Sequence, residues 1–396
     1  MKRADVTCRL TRILGVLICA LAIELGSVNA LFAAEVGVTN TTIALGTYQP
    51  LSGPLAPYAV LGRTIEAYFK MVNDRGGIHG RKIDLLIRDD GYNPANTRVV
   101  VKELVERDKV FAFVGGLGTP TGLAVMDYLN EHKVPHVSPA SGYSGWATPP
   151  KRYLFAQSTN YAVESRLLTK YAAEQLKAKK IAVFYQNDPF GKEGLDGVTD
   201  MAKRMGPAPI ATVSYERTDT DYASHAIKLL RSEADTVLLW SSSKPTAALL
   251  KEAAKIGYKP KWVSSLVNLD PVMFKLAGET WEGAIVASSY TLYNSPEAEP
   301  YREFMKKYLP NERIGGFSVG GYAMAEIMAE ALRRAGPDLT REKLVKALET
   351  FKNWSGVMTH NITWGPDKRQ GQNSIFFTKA EKGEFVRISG WITLDE

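Results

Sequence analysis

Cysteine is almost missing. Cys8 and Cys19 are the only two in 396 residues, and both fall within the first thirty positions. Downstream of them a disulfide framework or a thiolate metal site is excluded. Long hydrophobic runs are missing too: the stretch Ile13 to Ile23 is too short to span a bilayer. A basic block is missing as well. The net charge is +7, and four basic and two acidic residues in the first thirty leave +5 scattered over the rest. A scattered surplus reads as solvated surface, so nucleic acid is not an expected partner. The five histidines, His79, His132, His136, His225 and His360, form no HExxH, and Pro135 breaks the helix that would align His132 with His136. Gly76 to Lys82, GGIHGRK, lacks the gap and ending of a phosphate loop, and no paired nucleophile and base stands out. No metal, cofactor or catalysis is expected.

Residues 1–30 carry a basic start to Arg12, the apolar run, and Ser27-Val28-Asn29-Ala30, the pattern of a secretory signal that is removed on export. Ile18 before Cys19 is bulky where a lipid-anchor signal takes a small residue, so a freely soluble exported protein is expected. The remainder is ordinary globular material, the chain being 45% hydrophobic and 23% charged, and long enough for two domains.

What is there is a regular alternation. Phe111 to Val114 is an apolar run bounded by Gly115, Gly116 and Gly118, a strand opening into a loop whose backbone can approach a ligand. Thr119 and Thr121 begin a helix, where hydroxyls can cap and negative charge is favoured. Val134 to Val137 and the loop Ser138 to Gly142 repeat the arrangement. Two such strand ends side by side in an open parallel sheet form one wall of a cleft. Upstream, Ile43 to Gly46 and Lys82 to Arg88 are strands, and Ile65, Phe69 and Val72 share one helix face, stopped at Gly76-Gly77. Pro94 to Glu106 is helical. Downstream, strands at 180–185, 210–215, 236–240, 261–265 and 284–288 alternate with helices at 194–205, 225–234 and 245–256. The expected fold is α/β, two doubly wound parallel-sheet lobes. The mostly helical 300–351 packs back on the first sheet.

Five segments, IALGTYQPLSGPLAPYA, VNDRGGIHGRKIDLLIRDD, FVGGLGTPTGLAV, VPHVSPAS and KKIAVFYQNDPFGKEG, resemble the solute-binding components of ATP-binding-cassette importers that bind leucine, isoleucine, valine and related solutes. The resemblance covers nearly the whole mature chain. It implies a type I periplasmic-binding fold with three hinge crossings, residues 35–158 plus 289–360 in one lobe and 159–288 plus 361–396 in the other. It implies a periplasmic monomer that gives its small-molecule ligand to a membrane permease. By the same resemblance, Thr119 and the backbone of Gly118, Thr121 and Ala140 grip a ligand carboxylate beside Ser141, while Tyr58 and Phe190 cover it and Ser243 and Leu266 face it from the second lobe. Gly142 departs from the family pattern, which has a hydroxyl there. Ala156 stands where an arginine is usual.

The largest departure concerns the ligand's ammonium. Amino-acid binders place a carboxylate after the strand that ends at Ser265, where this chain has Leu266, and the first acid is Asp270, ahead of Pro271 as a helix cap would be. An unpaired buried ammonium costs about 3–5 kcal/mol. A small hydrophobic or aromatic acid is therefore the expected ligand, with Tyr58, Tyr143, Trp146, Phe190 and Trp240 turned to the cleft. Hydrophobic amino acids and amides are the alternative. A sensor module or an exported enzyme comes lower; a sensor would need an output module, and none is expected after Trp354.

Overall fold

A computed structural model describes residues 35–205 and 209–394; the expected signal, with Cys8 and Cys19, lies outside the described residues. The first sheet holds β1 (Thr42–Gln49), β2 (Lys82–Asp89), β3 (Ala112–Val114), β4 (His136–Val137) and β5 (Leu154–Phe155), all parallel, in the order β2-β1-β3-β4-β5. Between the strands run α1 (Val60–Asp74), α2 (Pro94–Glu106), α3 (Thr119–Leu123) and α4 (Met126–Glu131). Leu61, Ile65, Phe69 and Val72 recur every three or four residues along α1 and all are buried. Gly76 and Gly77 take φ of +97° and +76°, and their amides cap Asn73 and Val72 carbonyls. That left-handed stop is what glycine permits at little cost.

The second sheet is fed by α5 (Tyr161–Glu174) and contains β6 (Ile181–Gln186), β7 (Pro209–Tyr215), β8 (Thr236–Trp240), β9 (Lys261–Ser264) and β10 (Ile285–Ser288) in parallel. Its helices are α6 (Pro189–Met205), α7 (Ala223–Arg231), α8 (Ser243–Lys255) and α9 (Val272–Ala277). The first three start earlier than the sequence suggests, α7 by two residues. α6 begins at Pro189 and α8 two residues before Pro245, because proline is tolerated in a first turn. Phe190 and Ser243 thereby sit in first turns.

From β10 the chain returns to the first lobe as α10 (Glu299–Tyr308), α11 (Gly316–Ala335) and α12 (Arg341–Glu349). These helices share one core with α1 and the first sheet, as expected. Ile362 and Trp364 still belong to that core, so the chain recrosses near Gln370, later than position 361. It then adds β11 (Ser374–Glu381), β12 (Glu384–Arg387) and β13 (Ile392–Thr393) to the second sheet. These strands are antiparallel and were not anticipated. Lys382 and Gly383, at φ of +54° and +82°, turn β11 straight back into β12.

The three crossings are tied together. The Gln370 side-chain amide donates to the Ser158 carbonyl at 2.5 Å, and that of Gln372 to the Ser289 carbonyl at 2.6 Å. No helix among the described residues is long and apolar enough to cross a membrane.

Candidate ligand-binding cleft

The two glycine-rich strand ends meet as one wall. Leu117 pairs with Ala140 in a parallel bridge, the Ala140 amide donates to the Gly116 carbonyl at 2.9 Å, and the Gly118 amide donates to the Ala140 carbonyl at 3.2 Å. Glycine is required at 118: φ is +108°, and a Cβ would lie 2.3 Å from the Tyr92 ring. The Thr119 and Ser141 hydroxyls stand 2.7 Å apart, both buried. Three details differ from expectation. Gly118, not a threonine, is the N-cap of α3, and no side chain caps it. The Thr121 hydroxyl turns back to the Leu117 and Gly118 carbonyls and does not reach the cavity wall. The Ala140 amide is already paired to Gly116, so it is not a free donor for a ligand.

The facing wall comes from the second lobe. The Asp188 carboxyl accepts from the Phe190 and Gly191 amides at 3.0 and 3.2 Å, which fixes the first turn of α6 and sets the Phe190 ring at the cavity. Gly142 stands against Tyr161: a Cβ there would lie 2.7 Å from that ring. The aromatic therefore takes the room a hydroxyl-bearing side chain would need. Leu266 lines the cavity, and its amide donates to Glu164 at 2.6 Å. Burial pushes the Glu164 carboxyl up to about 8.

Tyr58 spans the lobes. Its ring stacks on Phe317 at 4.0 Å, its hydroxyl donates to the Ser243 hydroxyl at 3.0 Å, and it accepts from the Ser243 amide at 2.8 Å. Ser243 stands at the wider mouth, outside the inner cavity. Of the expected residues, Tyr58, Gly118, Thr119, Ala140, Ser141, Gly142, Phe190 and Leu266 share one cavity wall; Thr121 and Ser243 do not.

Three aromatics expected at the cleft are elsewhere. Trp146 is fully buried beneath the wall, its indole donating to the Ser141 carbonyl at 3.1 Å, and Tyr143 packs edge-on against it. Trp240 is fully buried behind Phe190 and Tyr161. In their place the cavity takes Tyr92, Tyr161, Tyr290, Tyr293 and Phe317, with Leu55, Leu61, Val319 and Met324. Gln186, at the end of β6, had a readable signal in its strand-end position. Those on α11 had none, since the chain leaves the lobe and returns before reaching them.

Among the described residues no Asp, Glu, Lys, Arg or His lines the inner cavity. Its mouth carries Arg217, Lys244, Lys275 and Arg313 against Asp219. Arg313 lies 2.8 Å from Asp270, whose carboxyl also accepts from the Val272 amide; the N-cap of α9 is Pro271 and not Asp270 as expected. Among the described residues no cluster of His, Cys, Asp and Glu is placed to hold a metal.

Residues 42–384 match the model of the family described as periplasmic binding protein. A Leu/Ile/Val-binding protein homolog 3 of Brucella melitensis is 22% identical, over 84% of this chain and 91% of its own length. A fatty acid ABC transporter substrate-binding protein from Thermomonospora curvata superposes with a TM-score of 0.84 at 24% identity, covering 91% of this chain and 95% of that one. A branched-chain amino acid ABC transporter structure from Thermus thermophilus, with bound valine, gives 0.80 at 24% identity, over 91% and 98%. The match of fold extends over both lobes.

Proposed function

The chain belongs to the periplasmic binding protein family, and from that premise we propose that it is the solute-binding component of an ATP-binding-cassette uptake system, exported and monomeric, which closes over a hydrophobic acid and delivers it to the membrane permease. The observation that carries the ligand class is the absence of any charged side chain from the cavity wall. An ammonium enclosed there has no counter-ion, at a cost of about 3–5 kcal/mol. A carboxylate needs donors rather than an ion, and the Thr119 and Ser141 hydroxyls with the first-turn amides of α3 supply them. Tyr58, Phe190 and Leu266 cover the apolar part. With Arg313 paired to Asp270, the remaining cations at the mouth, Arg217, Lys244 and Lys275, outnumber Asp219 and favour entry of an anion over a zwitterion.

The relatives support a second reading, hydrophobic amino acids, better than they support aromatic acids. The Brucella relative is named for leucine, isoleucine and valine, and the Thermus structure holds valine. The Thermomonospora structure, by contrast, is named for fatty acids, which carry no ammonium.

Competitive calorimetry of 3-phenylpropanoate and phenylalanine separates the two. The bare acid is expected to bind more tightly, by a margin approaching the 3–5 kcal/mol of the unpaired charge. Leu266→Glu, which places a carboxylate at the wall, is expected to narrow or reverse that preference. Equal affinities in the unmodified protein, or a variant with unaltered preference, reinstate an amino-acid ligand.

A further inference from the structure

The cavity does not end at the polar cradle. It continues into the first lobe between α1 and α11, where Leu61, Val319, Gly320 and Met324 line it. Gly320 and Met324 lie one helical turn apart on the same face of α11. All four residues are buried, so this is interior space and not a surface groove.

Gly320 is the informative residue. It is the fifth residue of a 20-residue helix, past the first turn, where glycine is an unfavourable choice. Its neighbours have a packing reason: a Cβ at Gly321 would lie 2.4 Å from the Leu61 carbonyl, and one at Gly316 2.4 Å from the Leu269 carbonyl. A Cβ at Gly320 would meet nothing nearer than 3.9 Å, with Leu61, the Tyr290 hydroxyl and Met324 as its surroundings. No protein group needs this glycine. It keeps open a space that an alanine or leucine would begin to fill.

We propose that this space is an arm of the ligand site which takes the apolar tail of the solute, and that Gly320 sets its depth. The solute is then an acid whose chain or ring extends well past the side chain of valine or leucine, its carboxylate at Thr119 and Ser141 and its tail against Met324. The inference rests on the reading of this cavity as the solute site and of the solute as an acid. A residue on α11, remote in sequence from both glycine-rich loops, becomes the one that selects ligand length.

The test is calorimetry of butanoate, octanoate and valine with the unmodified protein, Gly320→Ala and Gly320→Leu. Octanoate is expected to bind the unmodified protein more tightly than butanoate, by about fourfold for each methylene the arm encloses. Gly320→Leu is expected to lower the octanoate-to-butanoate affinity ratio by about fifteenfold, two methylenes' worth of lost room. Gly320→Ala moves the ratio the same way by less and serves if the leucine variant does not fold. A ratio unaltered in both variants, or butanoate preferred by the unmodified protein, overturns the arm and leaves the hydrophobic-acid reading standing. Binding of valine with neither acid bound overturns both.

Discussion

A buried hydroxyl 2.7 Å from that of Ser141, and spared any capping duty, leaves Thr119 with hydrogen-bonding capacity at the cavity wall. Thr119→Val keeps the shape and deletes one donor and its lone pairs. Affinity for the preferred acid should fall by about 1–3 kcal/mol in calorimetry, with the melting temperature nearly unmoved. Affinity equal to that of the unmodified protein would place the polar end elsewhere. The place of Thr119 at the cavity wall was legible because a strand, a glycine-rich loop and a helix start follow one another in sequence. Thr121, two residues on, was not: half a helical turn separates the hydroxyl that faces the cavity from the one that folds back on Leu117, and either direction fits the same sequence.

At the scale of elements, α11 packs with α1 through a glycine face, and its two adjacent glycines serve opposite purposes. Gly321→Ala should destabilise the ligand-free protein by about 1–3 kcal/mol, because its methyl meets the Leu61 carbonyl and the helices must part. Gly320→Ala should instead raise stability by up to about 1 kcal/mol, since the methyl has room and the helix gains propensity. Denaturant unfolding of both variants measures this pair. A loss of similar size at Gly320 would mean that its space is closed in solution. The packing of α11 on the first lobe could be anticipated from the helical run alone. Its glycine pair could not, since only the partner helix distinguishes a contact from a void.

Burial raises several carboxyls of the molecule, among them Glu164, pushed up to about 8, and Glu193 and Glu326, to about 7. Glu193 joins the lobes, accepting from the Ser144 amide at 2.9 Å. The unfolded chain ionises these groups near pH 4.3 and the folded one only well above it. Between those limits the folded state holds more protons, so stability is greatest at the acid end and falls as pH rises, by about 1.4 kcal/mol per pH unit for each group. Unfolding free energy should therefore decline from pH 5 to pH 8, and Glu164→Gln should flatten the decline. A variant with the unmodified slope, or stability rising over that window, would show Glu164 ionised in the fold.

Sequence by itself determined the alternation of strand and helix, since the periods of burial are local. It also determined the stop after α1 at Gly76-Gly77, the pairing of two small-residue loops at adjacent strand ends, and the lack of an acid at Leu266. Tertiary structure decided which aromatics line the cavity. Trp146 and Trp240 share strand-end character with the residues that line the cavity, yet their rings lie against Gly122 and Gly194, where added Cβ atoms would approach to 2.7 and 2.0 Å. Side chains follow the room offered by neighbours distant in the chain. The cavity's floor, built from Leu61 on α1 and Val319, Gly320 and Met324 on α11, exists only once two helices more than two hundred residues apart are packed together.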